Sequence, residues 1–146
     1  MFAVIGLRRA GNGIPGVIEM DKTDYSKKTL LVIGTHGDED PERATMTFMC
    51  ASAAASLGVK TKIFLTGDGV KLAQKSFADK IPMVKGLASV KEMMSAFIES
   101  GGKLQVCVPC MDARGINKEM FMEGVETIGL VDFAAETMDA DRIFTC

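Results

Sequence analysis

Leu30-Leu31-Val32-Ile33 is an unbroken apolar run closed by Gly34 and Thr35, and it narrows the fold more than any other stretch of the chain. Successive side chains of a strand point to opposite faces, so four apolar residues in a row need cover on both sides. A strand over 29–35 therefore belongs in a sheet with helices above and below. The pattern recurs. Residues 59–66 carry Ile63, Phe64 and Leu65 ahead of the turn Gly67-Asp68-Gly69, and further strands are expected over 103–108, 125–130 and 142–146.

Helical signals fill the gaps between these runs. Asp40 before Pro41 reads as an N-cap followed by the first helical position, and Met46, Met49, Cys50, Ala53, Ala54 and Leu57 then repeat at helical spacing until Gly58. A second helix is expected over 70–77. Ser89 and Glu92 have capping-box spacing ahead of Val90, Met93, Met94, Phe97 and Ile98, with Gly101 and Gly102 as the stop. Asn117 is placed to cap a short helix to 123, and 131–138 reads as the last helix. Strands alternating with helices predict an α/β fold, a mostly parallel sheet of about five strands sandwiched between helical layers.

A chain of 146 residues suits one domain, and at that length roughly 70% of the unfolded surface is buried without a metal or disulfide staple. The domain is expected over 29–146. Residues 1–28 read as an extension carrying Gly11, Gly13, Pro15 and Gly16 and then a polar stretch. The literal G-x-G-x-x-G there lacks the preceding strand and following long helix that a dinucleotide site needs, so it reads as a loop. The opening apolar residues 1–7 end at Arg8-Arg9 and are too short to span a bilayer. Neither a signal peptide nor a membrane helix is expected, and the location predicted is cytoplasmic.

Charge excludes one class of partner. Lys and Arg total 17 against 19 Asp and Glu, a net charge of -2, which gives no electrostatic source for a general grip on nucleic acid. Four cysteines in a chain of ordinary globular composition point to reactive thiols in a reducing compartment.

Ligands of open α/β sheets collect at the carboxyl ends of the strands, here Thr35-His36, Gly67-Asp68, the loop 107–115 and Cys146. His36, the single histidine, is placed to relay a proton, or else is an exposed turn residue in an acidic loop; Asp68 carries the same ambiguity. Cys50 lies on the apolar stripe of its helix and reads as core. Cys146 is either a terminal strand residue or an accessory thiol.

Val106-Cys107-Val108-Pro109-Cys110-Met111-Asp112-Ala113-Arg114-Gly115 carries the chemistry. A strand ends at a cysteine and turns into a short helix with Pro109 at its start, which sets a thiol near backbone N–H groups and Arg114 and favours a thiolate. Zinc binding is disfavoured because one C-x-x-C lacks a second paired half. Dithiol exchange of the C-x-P-C kind stays open, although thioredoxin-like domains hold their pair near the start of the fold. A half-buried structural pair also stays open.

From Thr29 onward the chain resembles the DsrE/DsrF/TusD group of sulfur-relay proteins. The likeness rests on the strand leading into Thr35-His36-Gly37, the acidic 38–43 stretch before an alanine-rich helix, Leu57-Gly58-Val59 leading to Ile63-Phe64-Leu65, and the 107–115 loop. In that family a reactive cysteine at the end of a central strand precedes a helical stretch closing with Arg-Gly. Cys107 holds that position relative to Arg114-Gly115, while Cys110 falls where TusD-like members often have alanine and other DsrE-like members have a C-x-x-C.

The resemblance implies an α/β/α sandwich that assembles as a homotrimer or homohexamer and passes sulfane sulfur between donor and acceptor proteins as a cysteine persulfide. Cys107 is then the nucleophile, Cys110 a resolving or alternative carrier, and Arg114 a thiolate stabiliser, with His36 and Asp68 in second rank. Neither a metal nor an organic cofactor is implied. On this reading Cys107→Ser abolishes sulfur uptake. A C-x-x-C thiol–disulfide oxidoreductase and a non-catalytic oligomeric subunit are the competing expectations.

Overall fold

Every strand of the sheet runs in the same direction. The computed structural model describes residues 23–146, so the glycine pattern at Gly11, Gly13 and Gly16 and the apolar opening 1–7 lie outside the described residues. Strands β1 (Thr29–Gly34), β2 (Lys60–Leu65), β3 (Lys103–Cys107), β4 (Glu126–Ile128) and β5 (Arg142–Thr145) form one sheet in the order β4-β3-β2-β1-β5, with all neighbours parallel. Helices α1 (Pro41–Ser56), α2 (Val90–Glu99), α3 (Val108–Asp112) and α4 (Leu130–Asp139) supply the connections.

Register shows which helices cover which face. Gly34, Leu65 and Val106 share one face through the pairs Gly34↔Leu65 and Leu65↔Val106, and Thr47 of α1 lies directly over Gly34. Under α1 and α2 the core includes Val32, Ile63, Leu65 and Val106, all fully buried, and Phe48 of α1 meets Phe97 of α2 edge-on with centroids 6.5 Å apart. The other face belongs to α4. There Phe133 stacks on Phe64 at 3.9 Å, and Glu136 takes hydrogen bonds from Gln105 at 2.9 Å and Lys62 at 3.0 Å. Burial pushes the Glu136 carboxyl up, but Gln105, Lys62 and Lys103 together outweigh it and hold it below the usual range. The result is a three-layer α/β/α sandwich, as the strand pattern predicts.

Local signals account for the helix starts. The Asp40 side chain accepts from the Arg43 N–H at 3.1 Å, with Pro41 just inside α1. Both halves of the box at α2 are made, Glu92 N–H to Ser89 Oγ at 3.2 Å and Ser89 N–H to Glu92 Oε2 at 3.0 Å. Replacing Ser89 with alanine is therefore expected to cost about 1 kcal/mol in a urea melt. Unchanged stability would mean that packing of Val90, Met94 and Phe97 alone sets the helix start.

Three expectations need correction. The helix over 70–77 is instead a 3-10 segment, Gly67–Ala73, followed by a second short one, Ala78–Lys80. Gln74 leaves the helical path because it forms an antiparallel bridge to Phe121, reinforced by Lys75 N–H to the Met120 carbonyl at 2.9 Å and Met122 N–H to the Ala73 carbonyl at 3.0 Å. Those same bonds reduce the helix expected after Asn117 to the 3-10 turn Lys118–Met120. Cys50 is half-exposed rather than part of the buried core, because it lies on the flank of α1 toward the edge strand β5, near Cys146, and not over the central strands.

Candidate active site

Cys107 is the last residue of β3, and Cys110 lies one turn further on, in α3. β3 is buried from Leu104 onward, and Cys107 inherits that burial: it is 1% exposed, packed among Val106, Met111 and their neighbours. Cys110 is only half-buried. The two thiols, one helical turn apart, lie close enough for each to shift the other's ionisation, and the Cys110 backbone N–H adds a small pull toward the Cys107 thiolate.

What surrounds Cys110 comes mainly from the end of β2. The Thr66 hydroxyl lies 3.2 Å from its sulfur, and the chain turns left-handed at Gly67, φ +55°, whose N–H favours the Cys110 thiolate. Arg114 reaches back across the loop. Its Nη1 donates to the Cys110 carbonyl at 3.1 Å, while Nε and Nη2 clamp Asp68 Oδ1 at 2.9 and 2.8 Å. Lys71 joins Asp68 at 3.5 Å and Asp38 at 3.0 Å, so one chain of ion pairs runs from the acidic loop after β1 to the thiol.

These contacts split the two thiols. Burial pushes the Cys110 thiol up, but the Thr66 hydroxyl, the Cys107 thiol, the Gly67 N–H and the Arg114 charge outweigh it, and the net direction is down. Burial also pushes the Cys107 thiol up, its neighbour Cys110 adds to the rise, and the Cys110 N–H and Thr66 offset only part of it. The Asp68 carboxyl is held below its ordinary range first by the Arg114 hydrogen bond. Arg114→Ala is accordingly expected to move the midpoint of the pH–alkylation profile of Cys110 to higher pH and to slow reaction at neutral pH severalfold. An unchanged profile would remove Arg114 from the site.

His36 stands elsewhere. Its Nδ1 is 2.7 Å from the Thr35 hydroxyl, its Nε2 is 3.3 Å from Arg43 Nη1, and the Thr35 hydroxyl donates to the Cys146 carbonyl at 2.6 Å. Because a guanidinium only donates, Nε2 accepts and the ring proton sits on Nδ1. Among the described residues no hydrogen bond joins His36 to Cys107 or Cys110. The structure thus brings Cys107, Cys110, Arg114 and Asp68 together and leaves His36 with Cys146, whose backbone extends β5 by pairing with Ile33 and Thr35.

The DsrE/DsrF-like family matches residues 28–146, which include this whole site. The chain belongs to the DsrE/DsrF-like family. An uncharacterised protein of Methanopyrus kandleri is 34% identical over 103 residues, covering 70% of this chain and 80% of its own length. Two uncharacterised proteins of Methanocaldococcus jannaschii are similar too. One is 30% identical over 115 residues, covering 78% of this chain and 96% of its own length. The other is 33% identical over 104 residues, 71% of this chain, and the match spans only 38% of that relative's length.

Solved structures give the same fold. The ychN protein from E. coli superposes with a TM-score of 0.68 at 20% identity, covering 82% of this chain and 99% of that one. A protein of unknown function from Bacteroides thetaiotaomicron gives 0.60 at 17% identity, over 85% and 99% of the two chains.

Within this DsrE/DsrF-like domain the site lies at the carboxyl ends of β2 and β3, with Cys110 partly exposed. A cavity of about 620 Å³ lies at the opposite, amino-terminal end of the strands, lined by Thr29, Lys60 and Lys103 among others, away from every cysteine. No group of three or more His, Cys, Asp or Glu side chains is arranged to hold a metal ion among the described residues. No described helix is long and apolar enough to cross a membrane. Thr66 is the neighbour of Cys110 that the sequence pattern does not single out; its one signal is its place at the carboxyl end of β2, directly before Gly67.

Proposed function

We propose that the protein carries sulfane sulfur as a persulfide on Cys110, with Cys107 as the buried thiol behind it. The observation that carries this reading is that Cys110, alone among the four cysteines, combines partial exposure with a thiol shifted toward the thiolate. Family membership supports the sulfur-relay class. The position counted from Arg114-Gly115 favours Cys107, but a nucleophile has to meet its donor, and Cys107 is sealed.

The step balances without an oxidant. The Cys110 thiolate attacks the outer sulfur of a donor persulfide, a new S–S bond forms, the donor's own S–S bond breaks, and the donor leaves as a thiolate. Attack by an acceptor thiolate on the same outer sulfur reverses the sequence and regenerates Cys110. Thr66, Gly67 and Arg114 hold negative charge at the sulfur in both resting and leaving states. The partial exposure of Cys110 lets donor and acceptor thiols presented by other proteins reach its sulfur.

The homo-oligomer implied by the resemblance finds support on one side of the sandwich. Leu130, Val131 and Met138 of α4 and Ile143 and Phe144 of β5 are exposed apolar side chains, and we assign that side to a second copy of the chain. Four unpaired thiols fit a reducing, cytoplasmic setting.

A second reading has one observation in its favour, the nearness of the Cys107 and Cys110 thiols, one helical turn apart and each shifting the other's ionisation. Attack by Cys107 on the inner sulfur of the Cys110 persulfide expels hydrosulfide and leaves a disulfide, which is oxidoreductase chemistry. Intact mass after exposure to polysulfide, with peptide mapping, separates the two: a persisting one-sulfur adduct on Cys110 supports the relay. Rapid hydrosulfide release with a Cys107–Cys110 disulfide supports the alternative.

A further inference from the structure

The four cysteines fall into two pairs, and the second pair, Cys50 with Cys146, takes no part in the site above. Backbone register brings it together. The Cys146 N–H donates to the Ile33 carbonyl at 2.9 Å, and its carbonyl accepts the Thr35 N–H at 2.9 Å and the Thr35 hydroxyl at 2.6 Å, so Cys146 continues the β5 ladder opposite Gly34. Side chains alternate along β5, and this puts Cys146 on the face covered by α1.

Gly34 lets α1 come close at that point. A Cβ at Gly34 would lie 2.7 Å from Cγ2 of Thr47 and 3.2 Å from its hydroxyl, contacts that only a glycine avoids. Cys50 follows Thr47 by three residues, on the same side of the helix. That places the Cys50 thiol beside the Cys146 thiol, near enough for each to shift the other's ionisation, with Thr47 between the helix and the strand end. Both thiols are half-exposed.

We propose that Cys50 and Cys146 form a second redox-active dithiol, which small-molecule disulfides convert into an intramolecular disulfide stapling the edge strand β5 to α1. One protein thiolate attacks a sulfur of the reagent disulfide, forming a mixed disulfide and releasing one reagent thiol. The second protein thiolate then attacks the protein sulfur of that mixed disulfide, forming Cys50–Cys146 and releasing the other reagent thiol. The protein loses two electrons and two protons, and the reagent disulfide gains them.

Burial holds both of these thiols above the ordinary cysteine value, so the pair reacts more slowly than Cys110. The staple encloses most of the domain in one covalent loop, and β5 is otherwise an exposed edge strand hydrogen-bonded on one side to β1.

The test removes the loop thiols. In a protein carrying Cys107→Ser and Cys110→Ser, incubation with oxidised glutathione is expected to lower the intact mass by two hydrogens and retain no glutathione. A non-reducing digest should join the peptides of Cys50 and Cys146, and the thermal midpoint should rise by about 5 °C or more and fall back on reduction. Adding Cys50→Ser should stop the reaction at a Cys146–glutathione adduct. Stable glutathione on both cysteines, dimers linked between chains, or no reaction in a folded sample would each overturn the proposal. If the double variant does not fold, the digest of oxidised wild-type protein decides, since a Cys50–Cys146 link and a Cys107–Cys110 link give different peptides.

Discussion

Cys110→Ser is expected to slow sulfur uptake from polysulfide at pH 7 by about 100-fold or more, whereas Cys107→Ser keeps most of the wild-type rate. A serine hydroxyl stays protonated at neutral pH and is a poor nucleophile toward sulfur, so the variant loses the attacking group outright. In Cys107→Ser, Thr66, Gly67 and Arg114, which favour the Cys110 thiolate, are untouched. Time-resolved intact mass reads both variants. The opposite ranking, with Cys110→Ser active and Cys107→Ser inert, would return the role to the strand-terminal cysteine and require the sealed thiol to open before it reacts.

The sequence contains the cue to this ordering. Leu104 to Cys107 is a strand covered on both faces, and a residue that still belongs to such a strand is buried with it. Cys110 comes after Pro109, in a turn that has left the sheet. Counting back from Arg114-Gly115 passes over that distinction, because spacing says which residue stands where in a motif and nothing about which sulfur meets solvent.

Patterns confined to a few neighbouring residues were legible in the same way. The apolar run of β1, the Asp40-Pro41 start of α1 and the Ser89/Glu92 box each predict an element from contacts within one turn or one strand. Elements that depend on distant partners were not. Nothing local announces that Gln74 pairs with Phe121, that Asp68 clamps Arg114 from 46 residues away, or that Cys50 faces Cys146. Helical periodicity places Cys50 on the inward stripe of α1, but only the helix's position over the sheet says that this flank faces the edge strand β5. His36 lies on that side too, one strand away from the loop cysteines, because β1 separates β2 from β5 in the strand order.

Gly69→Val is expected to destabilise the fold by about 3 kcal/mol and, in the same variant, to move the alkylation midpoint of Cys110 to higher pH. A side chain at Gly69 would press on the Gly34 carbonyl oxygen, and one at Gly37 would come within 2.7 Å of the Asp68 carbonyl. Both obstacles are backbone, which cannot rotate aside as a side chain can, so the β1 and β2 loops have to separate. That separation also strains the Gly69 N–H bond to the Thr35 carbonyl, now 3.2 Å, and displaces Asp68 between them. Asp68 fixes the guanidinium of Arg114, and Arg114 helps to hold negative charge at Cys110. Urea melts measure the first effect and the pH–alkylation profile the second. A stable variant with a shifted profile would mean that the loops part without loss of packing. A destabilised variant with the wild-type profile would show that Arg114 keeps its place without Asp68, and the ion-pair chain from Asp38 to Arg114 would then have no hold on the thiol.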